Sequence, residues 1–270
     1  LSRQISLIGR ESDISIRIHS TAILSPDAQL GENVSIGPYS VINNDVQIGD
    51  NTQIENFVTV GEGTKIGHDC RIFHGAVVGE IPQDLKFGGE KTQTIVGNHT
   101  TIREYVTINK GTVALGRTEL GSHVLLMAYV HIGHDSIVGD HVIFANQVTL
   151  GGHVEVGDWV SLGGGVLVHQ FSKIGSHAFV AAGFRVVQDV PPYILAAGEP
   201  LRFAGINKIG LERRGFSTET RQAIKKAYRK YFRSGTNRAD ALKAIEKDEN
   251  TSDELEQIIS FIQKSERGVI

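Results

Sequence analysis

Residues 120–168, LGSHVLLMAYVHIGHDSIVGDHVIFANQVTLGGHVEVGDWVSLGGGVLV, carry a large apolar side chain at every sixth place. These are Leu120, Leu126, Ile132, Val138, Phe144, Leu150, Val156, Leu162 and Val168. A glycine follows most of them, at Gly121, Gly133, Gly139, Gly151, Gly157 and Gly163. A short fixed period marks a repeat architecture, and a hexapeptide period points to a parallel β-helix. Extended in both directions, the phase runs from Ile18 to Val186. Of its 29 positions only Asp84, Glu90 and Ala114 depart from a large apolar residue. Ordinary half-buried strands alternate with period two and are broken by turns of varied length, so they would not hold a six-residue phase over such a span. Each hexad reads as a short strand and a tight corner, with the anchor inward. The glycine beside the anchor is expected to tolerate the corner geometry.

This pattern resembles the left-handed parallel β-helix of the hexapeptide acyltransferases. The resemblance implies three hexads per triangular coil, so that residues eighteen apart stack at one strand spacing, about 4.8 Å. The hand comes from the resemblance, because crossovers between parallel strands are ordinarily right-handed. The expected class is mainly β. A β-helix is expected over 14–190, followed by a small α-helical C-terminal domain over 191–270. The three departures fall in Glu80–Thr94 and Lys110–Thr118, which read as loops extruded from the prism near 80–94 and 110–118. Long loops on a rigid scaffold often carry function.

Past Val190-Pro191-Pro192 the pattern turns helical. Ser217 is a candidate N-cap, and Ala223, Ile224, Ala227, Tyr228, Tyr231 and Phe232 keep helical spacing up to Gly235. A short helix is expected over 238–247. Thr251 to Glu254 reads as a capping box ahead of Leu255, Ile258, Ile259 and Ile262.

The bulk properties narrow the class. A net charge of −3 argues against a nucleic-acid partner, which favours a basic domain. The one cysteine, Cys70, leaves no internal disulfide framework and fits a reducing compartment. The first residues hold no apolar run of signal-peptide length, and no segment approaches the roughly 20 apolar residues of a membrane span. A cytoplasmic location is expected.

With eighteen residues as a ruler, Ile132, Leu150 and Val168 share one face. Just after them come Gly133-His134, Gly152-His153 and His169-Gln170, so three histidines approach one another on successive coils. Imidazoles beside glycines suit acid–base chemistry near neutral pH, and a glycine leaves its backbone N–H open to an oxyanion. His123, His141 and His177 form a second column with Trp159 at the vacant level, so stacked histidines alone do not mark a site. The first column is favoured because the Lys110–Thr118 loop leaves one coil earlier on the same face. Histidines clustered across coils also suit zinc, which takes three or four close ligands. A metal-dependent enzyme like the γ-class carbonic anhydrases is one alternative reading, and a non-catalytic trimeric scaffold is another.

More specific segments occur in order: PQDLKF at Pro82–Phe87, IREYVTINKGT at Ile102–Thr112 and LLMAYVHIGHD at Leu125–Asp135. They continue with LGGHV at Leu150–Val154, VHQF at Val168–Phe171, QDVPPY at Gln188–Tyr193 and GLERRGFS at Gly210–Ser217. With the helical tail, they make the chain similar to the UDP-N-acetylglucosamine O-acyltransferase family, which acts first in lipid A biosynthesis. That resemblance implies transfer of a 3-hydroxyacyl chain from acyl carrier protein to the 3-position of UDP-N-acetylglucosamine. It implies no cofactor, no catalytic metal, and a homotrimer with sites between subunits. His134 would be the general base, with Asp135 orienting it and the Gly152 N–H facing the oxyanion. His131, His153, His169 and Gln170 would line the pocket, and Asp84 and Lys86 would contact sugar and donor. Asn207, Arg213 and Arg214 would hold the nucleotide, and Ala182 would bear on acyl-chain length. Asn109 and Ile209 depart from the residues common in the family at their positions. The sister N-acyltransferase on a UDP-glucosamine usually has an extra N-terminal domain, which is not expected here because the repeat is already running at Ile18.

Overall fold

The computed structural model describes residues 16–233, 235, 237–247 and 252–270. The expected start at residue 14, and Thr251 of the expected capping box, lie outside these residues.

The chain winds as a left-handed parallel β-helix. Two-residue strands such as Leu125–Leu126, His131–Ile132 and Ile137–Val138 succeed one another around the prism. Each pairs in parallel with the strand one coil away, as in Leu125↔Ile143, His131↔Thr149 and Ile137↔Glu155. Among the described residues three sheets of eleven, nine and eight strands result. We call them the first face (bearing Leu126, Phe144 and Leu162), the second (Ile132, Leu150 and Val168) and the third (Val138, Val156 and Ile174). All nine of these anchors are buried, so the core is a narrow apolar column.

The corners correct one expectation. The glycine after each anchor does not supply the left-handed conformation. That falls to the residue two places on, as at Asp135 (φ 57°), His141 (φ 57°) and His153 (φ 60°). Asn, Asp and His tolerate this region better than most residues. The glycine is needed for closeness instead. A Cβ on Gly133 would stand 2.7 Å from the carbonyl carbon of Gly151 and 2.8 Å from the nitrogen of Gly152, on the next coil.

Small polar residues four places after an anchor tie the coils together. The hydroxyl of buried Thr52 donates to the Gly67 carbonyl at 2.8 Å and accepts the Cys70 N–H at 3.1 Å. Ser40 repeats the arrangement with Glu55 O and Val58 N. Thr52→Val keeps the shape but strands a buried donor and a partly buried acceptor. We expect a loss of about 1–3 kcal/mol in denaturant unfolding.

Two excursions leave the prism, both at the edge between the second and third faces. One lies between strands Val77–Glu80 and Gln93–Val96, the other between Thr107–Asn109 and Arg117–Leu120. Ladder partners there are 30 residues apart (Arg71↔Thr101) and then 24 apart (Thr101↔Leu125), so the excursions add two hexads and one. That is why the six-residue phase survives them.

After the last coil, Ile194–Ala197 and Arg202–Ile206 pair antiparallel and close the first face. Among the described residues four helices follow: α1 (Lys208–Arg213), α2 (Thr218–Arg233), α3 (Arg238–Glu246) and α4 (Asp253–Gln263). Ser217 caps α2 as expected, its Oγ accepting the Thr220 N–H at 3.1 Å. At α4 the N-cap is Ser252, which makes no side-chain capping bond. The tail is fastened to the prism. The fully buried Tyr228 donates its hydroxyl to Pro192 O at 2.6 Å, and the Asp189 carboxylate accepts from Lys173 N and Ser265 Oγ.

Candidate functional site

At the edge between the second and third faces, Ile132 points inward and the chain turns the corner through Gly133, His134 and Asp135. His134 Nδ1 lies 2.9 Å from Asp135 Oδ2. An ionised carboxylate only accepts, so the ring carries its proton on Nδ1 and leaves Nε2 free. The Asp135 side chain is fully buried and that of His134 is 16% exposed. The imidazole is therefore mostly covered, opening to solvent at one side.

The second excursion folds back onto this pair. Thr112 donates its N–H to Asp135 Oδ1 at 2.9 Å and its hydroxyl to Oδ2 at 2.7 Å. Asp135 N donates to Thr118 Oγ1 at 2.8 Å. Burial alone would raise the Asp135 pKa. The bonds from Thr112 and His134, with the nearby His153, outweigh it and hold the carboxyl below its ordinary value. Thr112 and Thr118 were not singled out in the sequence. Their only signal is the GT of the KGT segment and a threonine at the foot of the loop.

One coil on, Gly152 and His153 occupy the same corner. A Cβ on Gly152 would stand 2.7 Å from both Cε1 and Nε2 of His134, so this glycine faces the free ring nitrogen. No acceptor among the described residues takes its N–H. The rings of His134 and His153 meet edge to face at 5.0 Å, and His153 Nε2 lies 3.7 Å from Asp135 Oδ2. His131, on the strand before the corner, bonds Thr107 Oγ1 through Nδ1 at 2.7 Å. Burial and then the His134 charge push its pKa down.

Of the remaining expected residues, His169 and Gln170 lie one further coil along this edge and are exposed. His169 does not join the ring cluster: its Nδ1 bonds the Gln170 carbonyl, and Phe171 stacks on His153 at 4.5 Å instead. Asp84 and Lys86 sit on the first excursion, where Asp84 Oδ1 accepts the Lys86 N–H. Leu85 between them is fully exposed. Asn109 donates its amide to Ile81 O at 2.9 Å, which pins the base of that loop.

The other expected residues lie on other edges. Ala182 is exposed at the edge between the first and second faces. Asn207 caps α1 and donates to His177 O at 2.9 Å, at the edge between the third and first faces. Arg214 lies over Trp159, its guanidinium carbon 5.1 Å from the ring centroid, and its Nη1 is 3.3 Å from His177 Nδ1. Burial and the Arg214 charge lower the His177 pKa to about 4, so that ring is neutral and accepts. Arg213 and Ile209 are exposed. The histidine column on this edge is continuous, His99, His123 and His141 stacking in turn at 4.7 and 4.6 Å, and His141 stacking on Trp159 at 3.9 Å. His99 was missed there because the excursion ahead of His123 stretches their spacing from eighteen to 24.

His134, Asp135 and His153 also offer three donor atoms within 4.8 Å of one another, a geometry open to a metal ion. Asp135 already accepts three hydrogen bonds, which suits it to orienting an imidazole. No helix among the described residues is long and apolar enough to cross a membrane.

Comparison with known proteins gives concordant results. A family profile described as "Udp N-acetylglucosamine O-acyltransferase; Domain 2" matches residues 189–270. One for the six-repeat bacterial transferase hexapeptide matches 45–80 and 117–152. The acyl-[acyl-carrier-protein]–UDP-N-acetylglucosamine O-acyltransferase of Thiobacillus denitrificans is 46% identical over 254 residues, covering 94% of this chain and 98% of that protein. Its counterpart from Herminiimonas arsenicoxydans is 48% identical over 258 residues, with the same coverage. The crystal structure of LpxA, a UDP-N-acetylglucosamine acyltransferase from Bacteroides fragilis, superposes with a TM-score of 0.92 at 44% identity, covering 93% of this chain and 99% of that one.

Proposed function

The chain belongs to the UDP-N-acetylglucosamine O-acyltransferase family, and on that premise we propose that His134 is its general base. The reaction moves an acyl chain from acyl carrier protein to UDP-N-acetylglucosamine. We assign the acyl group as a 3-hydroxyacyl chain, the acceptor as the sugar 3-hydroxyl, and the step as the first in lipid A biosynthesis. Because it draws on a carrier-protein thioester and a nucleotide sugar, we place it in the cytoplasm. The observation that carries the mechanism is the Asp135–His134–Gly152 line, which leaves a free imidazole nitrogen beside a glycine whose backbone N–H makes no bond among the described residues.

His134 Nε2 takes the proton from the sugar hydroxyl as its oxygen attacks the thioester carbonyl carbon. The charge that develops on the carbonyl oxygen falls to the Gly152 N–H. Collapse breaks the carbon–sulfur bond, and the leaving thiolate takes the proton from His134. Asp135 stays ionised and steadies the imidazolium through Nδ1, while Thr112 keeps the carboxylate in place. The chain's own residues thus supply base, acid and oxyanion donor.

Asn207, Arg213 and Arg214 lie on a different edge from His134. This separation supports a site completed between subunits of a homotrimer, with one subunit presenting the base and another the nucleotide clamp. His153, His169, Gln170 and His131 then line the first wall, Asp84 and Lys86 reach across from the loop, and Ala182 bounds the acyl chain. Arg213→Ala removes an exposed guanidinium suited to phosphate, and Arg214→Ala removes one that also packs on Trp159. Charge-assisted hydrogen bonds are worth about 1.5–3 kcal/mol, so we expect UDP-sugar binding to weaken about 10- to 100-fold, with KM for the acyl carrier unchanged. Trp159, the chain's one tryptophan, gives a fluorescence readout beside Arg214. Unchanged UDP-sugar affinity in both variants would remove the clamp. Turnover of UDP-N-acetylglucosamine with 3-hydroxyacyl carrier protein tests the whole reading.

A further inference from the structure

The edge between the third and first faces carries a second compact donor set. His68, Asp69 and His99 each offer one ligand atom, and these lie within 4.8 Å of one another. Asp69 and His99 hold the same corner position on consecutive coils, thirty residues apart because the first excursion intervenes. Both take the left-handed conformation, at φ 55° and 54°, which aims their side chains outward side by side.

The distances suit coordination. His68 Nδ1 hydrogen-bonds Asp69 Oδ2 at 2.7 Å through a proton that a bound ion would displace, and His99 Nδ1 is 3.9 Å from the same oxygen. Bonds of about 2.0 Å in a tetrahedral zinc site put neighbouring donors about 3.3 Å apart, between those two separations. In the single chain all three side chains are about half exposed, which leaves room for a fourth ligand. The surroundings orient the donors. Asn51 holds the same corner one coil before Asp69 and is itself held by Asn33 Nδ2 at 3.2 Å, while His123 stacks on His99. Metal-binding carboxylates and imidazoles are commonly fixed in this way by neighbours that do not touch the ion.

We propose that His68, Asp69 and His99 bind a late first-row divalent transition-metal ion, zinc foremost, at a site separate from the His134 cluster. Two imidazole nitrogens, borderline donors, joined by one carboxylate oxygen suit such ions over magnesium or calcium. The ion joins the coil before the first excursion to the coil after it, on a different edge from the loop itself.

The test uses the full chain, stripped with a chelator and titrated with zinc chloride, with cobalt chloride as the optical probe of tetrahedral geometry. One equivalent per chain at micromolar zinc, with a rise in Tm, is the expected result. Asp69→Asn and His99→Asn, both tolerated in the left-handed region, lose that equivalent and the Tm rise. Asn51→Ala weakens binding about tenfold. His134→Ala retains the equivalent. The proposal is overturned if the stripped chain takes up no stoichiometric zinc, or if binding persists in His99→Asn and vanishes in His134→Ala.

Discussion

His134→Ala is expected to lower turnover by about 10²- to 10⁴-fold, the range a positioned general base contributes. The substitution removes the group that accepts the hydroxyl proton and returns it to the thiolate. It leaves the scaffold intact, because the inward anchor of this corner is Ile132 and the close approach to the next coil is made by Gly133. Asp135 also keeps both hydrogen bonds from Thr112. The carboxyl's lowered pKa sets the sign of its own pH effect. Its stabilising contribution is present above the unfolded carboxyl pKa and fades only as pH falls through the lower folded value. At neutral pH the loss in His134→Ala therefore reports the missing base. Single-turnover acyl transfer, with UDP-sugar binding and circular dichroism alongside, is the measurement. Near-normal turnover in a folded variant would remove His134 from its role.

Gly152→Ala is expected to cost about 10²- to 10³-fold, comparable to the loss of an oxyanion donor. The backbone of Gly152 lies outside the left-handed region, so alanine meets no conformational penalty there. The new methyl would instead press on Cε1 and Nε2 of His134 at 2.7 Å. It would also occupy the space where the thioester carbonyl must approach the N–H. The imidazole can yield only by straining its bond to Asp135. Circular dichroism and UDP-sugar binding are measured alongside, and near-normal turnover in the folded variant would show that the space over His134 is not used.

The periodicity of residues 120–168 carried most of the architecture, because a narrow column admits one large apolar residue per strand and leaves little freedom elsewhere. The same ruler placed His134, Gly152 and His153 on one edge without reference to any contact. What it could not reach was the path of an excursion. Thr112 lies 23 residues before Asp135, across a loop whose course no period describes, so its two bonds to the carboxylate are visible only in three dimensions. The ruler also changes length at each loop, which hid the pairing of Asp69 with His99. The role of the glycines was misjudged because sequence does not separate a conformational requirement from a requirement for closeness. His169 counted as a third member of the cluster, yet its side chain turns to its own neighbour's carbonyl.

Both excursions start and finish at a single corner, and the rungs below resume their vertical alignment as though nothing had intervened. Each is therefore an interchangeable part. Lengthening or recasting one redraws the wall that meets a substrate and leaves every lower storey plumb. Selection acting on this scaffold can thus tune what is admitted to the groove separately from the imidazole that performs the transfer.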